Sequence, residues 1–179
     1  ALTSLSRRHY TTAQNTRKDI LTILLYKIEN LFYNEGTKKR GGEAVRARPV
    51  TCCFSGHRPE KLPWGMNEED PRCQALKQKI WDAIEAAYHE GYRHFICGMA
   101  QGCDFYFCEL ALELRKKYGD VTVEAAIPCP SQAERWSAAA KRRWQRLVDL
   151  CDYETMVQNH YSTACMQRRN RYMVDHATL

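Results

Sequence analysis

From Val50 onward the chain alternates short β-type runs with longer helical ones, and that alternation narrows the fold more than any other feature of the sequence. Val50 to Phe54, His94 to Cys97, Val121 to Ile127 and Tyr153 to Val157 read as strands, rich in β-branched and aromatic residues. Pro71 to Glu90, Gly102 to Tyr118 and a segment from Ser131 to about Leu150 read as the helices between them, and a last helix runs from about Ala164 to His176. Pro71 suits a first turn, while Leu76, Ile80, Ala83, Ile84 and Ala87 share one face. Gly91 and Gly119 close the first two helices. Ser131-Gln-Ala-Glu134 has capping-box spacing and is expected to open the third. Strands and helices in this succession imply βαβ units, hence an α/β fold: a parallel sheet with helices on both faces and right-handed crossovers. Ligands of such sheets lie beyond the carboxyl ends of the strands, near the point where strand order reverses.

Residues 1–48 read differently. Arg17 to Tyr33 carries apolar residues near a 3.6 period and is expected to form one amphipathic helix. The polar, basic, glycine-bearing stretch from Asn34 to Arg48 reads as a linker, which places the boundary of a second unit, residues 49–179, near Pro49. The formal charge of +6 belongs to this first segment, with 10 Lys/Arg against 4 Asp/Glu, while residues 49–179 hold 17 of each. A domain without net charge is not built as a general polyanion binder, although local patches still bind a phosphate. The longest apolar run, Ile20 to Ile28, is interrupted by Lys27 and falls short of the ~20 residues of a membrane span. Ala1 to Lys18 has no acidic residue and is rich in Arg, Ser and Thr, as transit peptides are, but organelle targeting is not the favoured reading.

Nine cysteines are scattered through apolar stretches, with no C-x-x-C pair. That spacing argues against a structural zinc site and for buried free thiols in a reducing compartment, so no metal and a cytoplasmic location are expected.

The residues after each strand are the candidates for function. Ser55-Gly56-His57-Arg58-Pro59 offers a glycine for close backbone approach and two cationic donors, or a plain turn with a solvated arginine. Gly98-Met-Ala-Gln-Gly102-Cys-Asp104 enters a helix, where free amides and the dipole favour a phosphate; Asp104 suits either the first turn or a ribose hydroxyl. It is neither a G-x-G-x-x-G nor a Walker A loop. Pro128-Cys129-Pro130 makes a rigid exit from the third strand, followed by Glu134, Arg135 and Trp136, the last more often core than base-stacking. Arg168, Arg169 and Arg171 span more than one helix face, so at most two can point to a common ligand. Cys103 and Cys129 adjoin helix starts and are the thiols to probe for reactivity.

Four of these segments, Cys53-Phe-Ser-Gly-His-Arg-Pro-Glu-Lys-Leu-Pro-Trp-Gly65, Gly98-Met-Ala-Gln-Gly-Cys-Asp104, Ala126-Ile-Pro-Cys-Pro130 and Cys165-Met-Gln-Arg-Arg-Asn-Arg-Tyr-Met173, agree in type, order and spacing with one family. Over about Val50 to His176 the chain resembles the YpsA-like family of the SLOG superfamily, Rossmann-like proteins that include the DNA-processing protein DprA and the LOG phosphoribohydrolases. The resemblance implies a Rossmann-like domain that binds a nucleotide or nucleotide derivative, such as ADP-ribose or an NAD-like molecule, in a regulatory or sensing role. No cofactor is implied with certainty. The implied pocket positions are Gly56, His57, Arg58, Gly98, Gly102 and Asp104, with Arg168, Arg169 and Asn170 less firmly placed. In the family the chain continues past this point into a further strand and a Gly-Ser-Pro-Gly-Gly-Thr type loop. The expectation is therefore a C-terminally truncated domain lacking the family's last strand, with an unpaired sheet edge. Residues 1–48 match nothing in the family.

Two other functions follow by analogy within the superfamily. N-glycosidic hydrolysis of nucleoside monophosphates, as in the LOG branch, would need a carboxylate beside the sugar, for which Asp104 and Glu134 are the candidates. Single-stranded nucleic-acid binding, as in DprA, would draw on the basic N-terminal segment. A ligand-binding module is favoured over an enzyme, with a nucleotide-like small molecule as partner, no membrane, and a homo-oligomer open.

Overall fold

A computed structural model of the chain describes residues 50–178. The helix expected over Arg17 to Tyr33, the linker after it and the boundary near Pro49 lie outside the described residues.

Four parallel strands, β1 (Val50–Phe54), β2 (Tyr92–Cys97), β3 (Thr122–Ile127) and β4 (Tyr153–Met156), form one sheet in the order β1-β2-β3-β4. The helices α1 (Pro71–His89), α2 (Cys103–Tyr118) and α3 (Ala138–Leu150) cross between successive strands, and α4 (Cys165–His176) follows β4. Because the strands step in one direction through crossovers of one kind, α1, α2 and α3 all fall on one face. Alternation along the strands shows it: Cys52, Phe54, Phe95, Cys97, Val123, Ala125 and Ile127 face the helices in the main core. Ile96 and Ala126 point the other way and are covered by Met173 of α4. The expected Rossmann-like arrangement with helices on both faces is found, three on one side and one on the other.

Each helix has a local cause. Asp70 caps α1 by accepting from the Arg72 amide, Pro71 takes the first turn, and Leu76, Ile80, Ile84 and Ala87 form its buried stripe. The middle helix, α2, is enclosed by α1, α3, β2 and β3, and buries Phe105, Tyr106, Phe107, Cys108, Ala111, Leu112 and Leu114. Phe107 stacks on Phe54 with ring centroids 4.8 Å apart, and burying an aromatic ring of this kind contributes roughly 1.5–3 kcal/mol. On the helical side, Arg143 of α3 pairs with Glu68 before α1 and Glu109 of α2, its guanidinium 5.3 Å from the Phe105 ring centre.

The expected capping box is corrected. Ser131 to Trp136 form turns, closed by Glu134 N–H to Ser131 O (3.1 Å) and Trp136 N–H to Ala133 O (3.0 Å). The helix starts at Ala138, with the Ser137 side chain accepting from the Ala140 amide at 3.2 Å. Two serines compete as caps, and the tertiary anchoring of Gln132 and Ala133 in the core keeps the first out of helix geometry.

After α4 the chain reaches the edge of β1 that faces away from β2. There Thr178 N–H donates to Thr51 O (2.8 Å), and Thr51 N–H donates to Thr178 Oγ1 (3.1 Å). These hydrogen bonds tie Thr178, just after α4, to the outer edge of β1. No helix among the described residues is long and apolar enough to cross a membrane.

Candidate functional site

The loops after β1 and β2 interlock. Asp104, in the first turn of α2, is 1% exposed, and one carboxylate oxygen accepts from the Gly56 amide at 2.9 Å. Its other oxygen accepts from the Ala100 amide at 3.2 Å and from Arg169 Nη1 at 3.0 Å. The Cys103 amide at the start of α2 donates to His57 O at 3.1 Å. In the loop expected to meet a phosphate, the Ala100 amide thus meets the protein's own Asp104 carboxylate and the Cys103 amide meets the His57 carbonyl.

The glycines fit that lock. A Cβ on Gly98 would lie 1.2 Å from Arg169 Nη1, so its missing side chain makes room for the guanidinium. Gly102 has φ +88°, and a Cβ there would approach His57 O to 2.7 Å. On Gly56 a Cβ would meet Cys103 Cβ at 2.4 Å. Of the arginines on α4, Arg169 is buried in the lock, while Arg168 and Asn170 are exposed on the outer surface of the helix. His57 and Arg58 are also exposed. The nine residues singled out from the sequence therefore divide: Gly56, Gly98, Gly102, Asp104 and Arg169 come together with the His57 carbonyl as one buried frame, and Arg168 and Asn170 stand apart.

Arg58 points elsewhere. It lines a cavity of about 490 Å³ walled by Cys129, Ser131, Gln132, Glu134, Arg135 and Trp136 after β3, by Tyr161 and Thr163 after β4, and by Cys165 and Met166 at the start of α4. Gly102 borders a smaller cavity of about 160 Å³ with Pro59, Phe105 and Arg143. Neither Arg58 nor Arg135 joins an ion pair among the described residues, and Glu134 is the carboxylate in the larger wall. No side chain caps α4 at Ala164, so the positive end of its dipole opens on this space. Trp136 serves both core and cavity: it packs edge-on against Phe105, with centroids 5.9 Å apart, and borders the cavity.

Gln132 was not singled out from the sequence. It is 7% exposed, and its amide nitrogen donates to Met99 O at 2.9 Å and to Gly98 O at 3.4 Å. Those two carbonyls fix which end of the amide faces them, leaving Oε1 buried in the cavity wall without a hydrogen-bond partner among the described residues. Met99 itself is fully buried with φ +58°, a conformation that a non-glycine residue adopts at some cost. The signal for Gln132 was its place just after β3, obscured by reading Ser131 to Glu134 as a helix start.

A second polar cluster lies on the sheet face covered by α4. Glu124 accepts from Tyr172 OH at 2.6 Å and pairs with His94 Nε2 at 2.8 Å, while His94 Nδ1 meets Thr122 Oγ1 at 2.8 Å. Burial pushes the Glu124 carboxyl up, but hydrogen bonds from His94, Tyr172 and Thr155 outweigh it and hold the group down at about 2. The cluster is satisfied internally. No group of three or more metal-ligating side chains occurs among the described residues.

Comparison with known proteins places these features in a family. The model of the YspA SLOG family matches residues 52–179. The chain is 30% identical over 122 residues to the uncharacterized SPbeta prophage-derived protein YoqJ of Bacillus subtilis (strain 168), covering 61% of this chain and 71% of that protein. It is 24% identical over 112 residues to a UPF0398 protein of Ligilactobacillus salivarius (strain UCC118), covering 62% and 61%. A UPF0398 protein of Lysinibacillus sphaericus (strain C3-41) is 21% identical over 104 residues, 58% of each chain. The match thus spans about three-fifths of the length of these UPF0398 relatives.

Proposed function

The chain belongs to the YspA SLOG family, and from that premise we propose that it binds a phosphate-bearing nucleotide or nucleotide derivative, of the ADP-ribose or NAD kind, in a sensing or regulatory role. The cavity beyond the carboxyl ends of β3 and β4, reached by Arg58 from β1, is the binding site. The reading is carried by the convergence in that one cavity of two arginines without carboxylate partners among the described residues and the uncapped start of α4. Guanidinium groups and helix N-termini both favour phosphate, the first by paired donors and the second by dipole and amides. Tyr161, two-thirds exposed at the rim, and Trp136 offer aromatic faces to a base. Gln132 Oε1 supplies what the cations cannot, an acceptor for a ligand hydroxyl or amine, and its unmet hydrogen bond favours a ligand that draws it into contact. At about 490 Å³ the space is within the range that holds small ligands. In this reading the Asp104–Arg169 frame positions the loops and does not touch the ligand.

A thermal-shift titration against ADP-ribose, NAD, AMP and a single-stranded oligonucleotide tests the proposal. A ligand bound only by the folded chain at 100 times its dissociation constant adds about 2.7 kcal/mol, a rise of several degrees. Arg58→Ala is expected to weaken binding by about 10- to 100-fold, the worth of one charge-assisted hydrogen bond, without lowering the unliganded Tm. No rise with any of the three nucleotides would refute the reading. Chromatography of the same samples for free base separates binding from N-glycosidic hydrolysis, for which Glu134 is the carboxylate in the cavity wall.

A further inference from the structure

No disulfide joins any of the nine cysteines, all of which lie among the described residues, and seven of them are buried. Two pairs bring their sulfurs close, Cys108 with Cys151 at 3.8 Å and Cys129 with Cys165 at 4.0 Å. The first pair joins α2 to the end of α3. Despite the contact from Cys151, the Cys97 thiol and burial push Cys108 well up, and contact with Cys108 together with burial does the same to Cys151. Both are held as thiols, which are poor nucleophiles.

The second pair has a different setting. Cys129 lies in the irregular segment after β3, and Cys165 is the first residue of α4. Both residues are buried yet contribute to the wall of the 490 Å³ cavity, so a small reagent that enters it lies against the segments that carry the two sulfurs. Joining them requires the sulfurs to close from 4.0 Å to about 2.05 Å.

We propose that Cys129 and Cys165 form an oxidisable dithiol in the cavity wall, which a hydroperoxide entering the cavity converts to a disulfide. The thiolate sulfur of one cysteine attacks the terminal oxygen of ROOH. The O–O bond breaks, ROH leaves with a proton, and a sulfenic acid forms. The sulfur of the second cysteine then attacks the sulfenic sulfur. An S–S bond forms, the S–O bond breaks, and water leaves with the second thiol's proton. In sum, two thiols lose two electrons and two protons, and the peroxide is reduced to ROH and water. The new bond would tie the segment after β3 to the start of α4, the two parts that furnish most of the cavity wall. Coupling to nucleotide binding rests on the function proposed above, while the bond itself does not.

The full chain is treated with hydrogen peroxide, quenched with N-ethylmaleimide, and analysed by intact mass and by peptide mapping without reduction. The expected result is a loss of about 2 Da before alkylation, two fewer maleimide adducts, and a Cys129–Cys165 linked peptide that dithiothreitol reverses. Cys165→Ser should abolish the link. Mapping of the unsubstituted protein decides the matter even if that variant does not fold. No linked peptide, a link confined to Cys108–Cys151, or over-oxidation of either thiol without a link would overturn the proposal. Saturating ADP-ribose is expected to slow formation of the link severalfold, and an unchanged rate with ADP-ribose bound would refute the coupling. Failure of ADP-ribose to bind would sink the nucleotide reading while leaving the disulfide to stand on the mapping.

Discussion

Gly98 leaves no room for a methyl group, because Arg169 Nη1 occupies the place a Cβ would take. Gly98→Ala must therefore displace a guanidinium whose partner, Asp104, stays buried. Separating such a pair leaves an uncompensated charge, so urea denaturation should show a loss of about 3 kcal/mol or more. Arg168→Ala and Asn170→Ala, on the exposed side of the same helix, should stay within about 0.5 kcal/mol of the unsubstituted chain. The sequence singled out Gly98, Asp104 and Arg169 as candidate ligand contacts, but not the contact they make with one another. Glycine, carboxylate and arginine at strand ends suit a phosphate site and a self-contained ion pair equally well. What decides is contact between Asp104 and Arg169, 65 residues apart, and no local pattern encodes that. Arg58 is the counter-example: it has no carboxylate partner among the described residues and borders the cavity, so its residue type still bears on ligand chemistry.

At the scale of elements, strand and helix order were readable in residues 50–178, because short runs of β-branched and aromatic residues alternate with longer amphipathic runs of 3.6 period. Ends were less so. The start of α3 hinged on which of two serines caps it, and the winner is Ser137, whose Oγ accepts from the Ala140 amide. Ser137→Ala should cost about 1 kcal/mol in chemical denaturation, the usual worth of an N-cap. Ser131→Ala should change stability by less than about 0.5 kcal/mol, and a reversed ranking would restore the capping box. The displaced turn matters for function, since it brings Gln132 and Trp136 to the cavity instead of spending them on a helix face.

At the scale of the whole molecule, Glu124 links strands and α4 on the sheet's second face through His94, Thr155 and Tyr172. Its ordinary value of 4.5 falls to about 2 in the folded chain. A carboxyl depressed by folding stabilises fully above its unfolded value and loses that contribution as pH falls from about 4.5 toward 2. The loss should be on the order of 3 kcal/mol. Denaturation midpoints measured from pH 6 to pH 2.5 should fall less steeply for Glu124→Gln, which starts lower, and parallel curves would show that the cluster contributes little. The same helix that supplies Tyr172 also supplies Arg169 for Asp104 and Met173 for Ile96 and Ala126, and it leads to Thr178, 127 residues beyond its partner Thr51. On the ribosome, all of these partners emerge after the sheet they complete. Until then a growing chain holds a half-clad sheet and a carboxylate lacking its counter-ion, so commitment of this sheet to its native state waits for α4 to be synthesised.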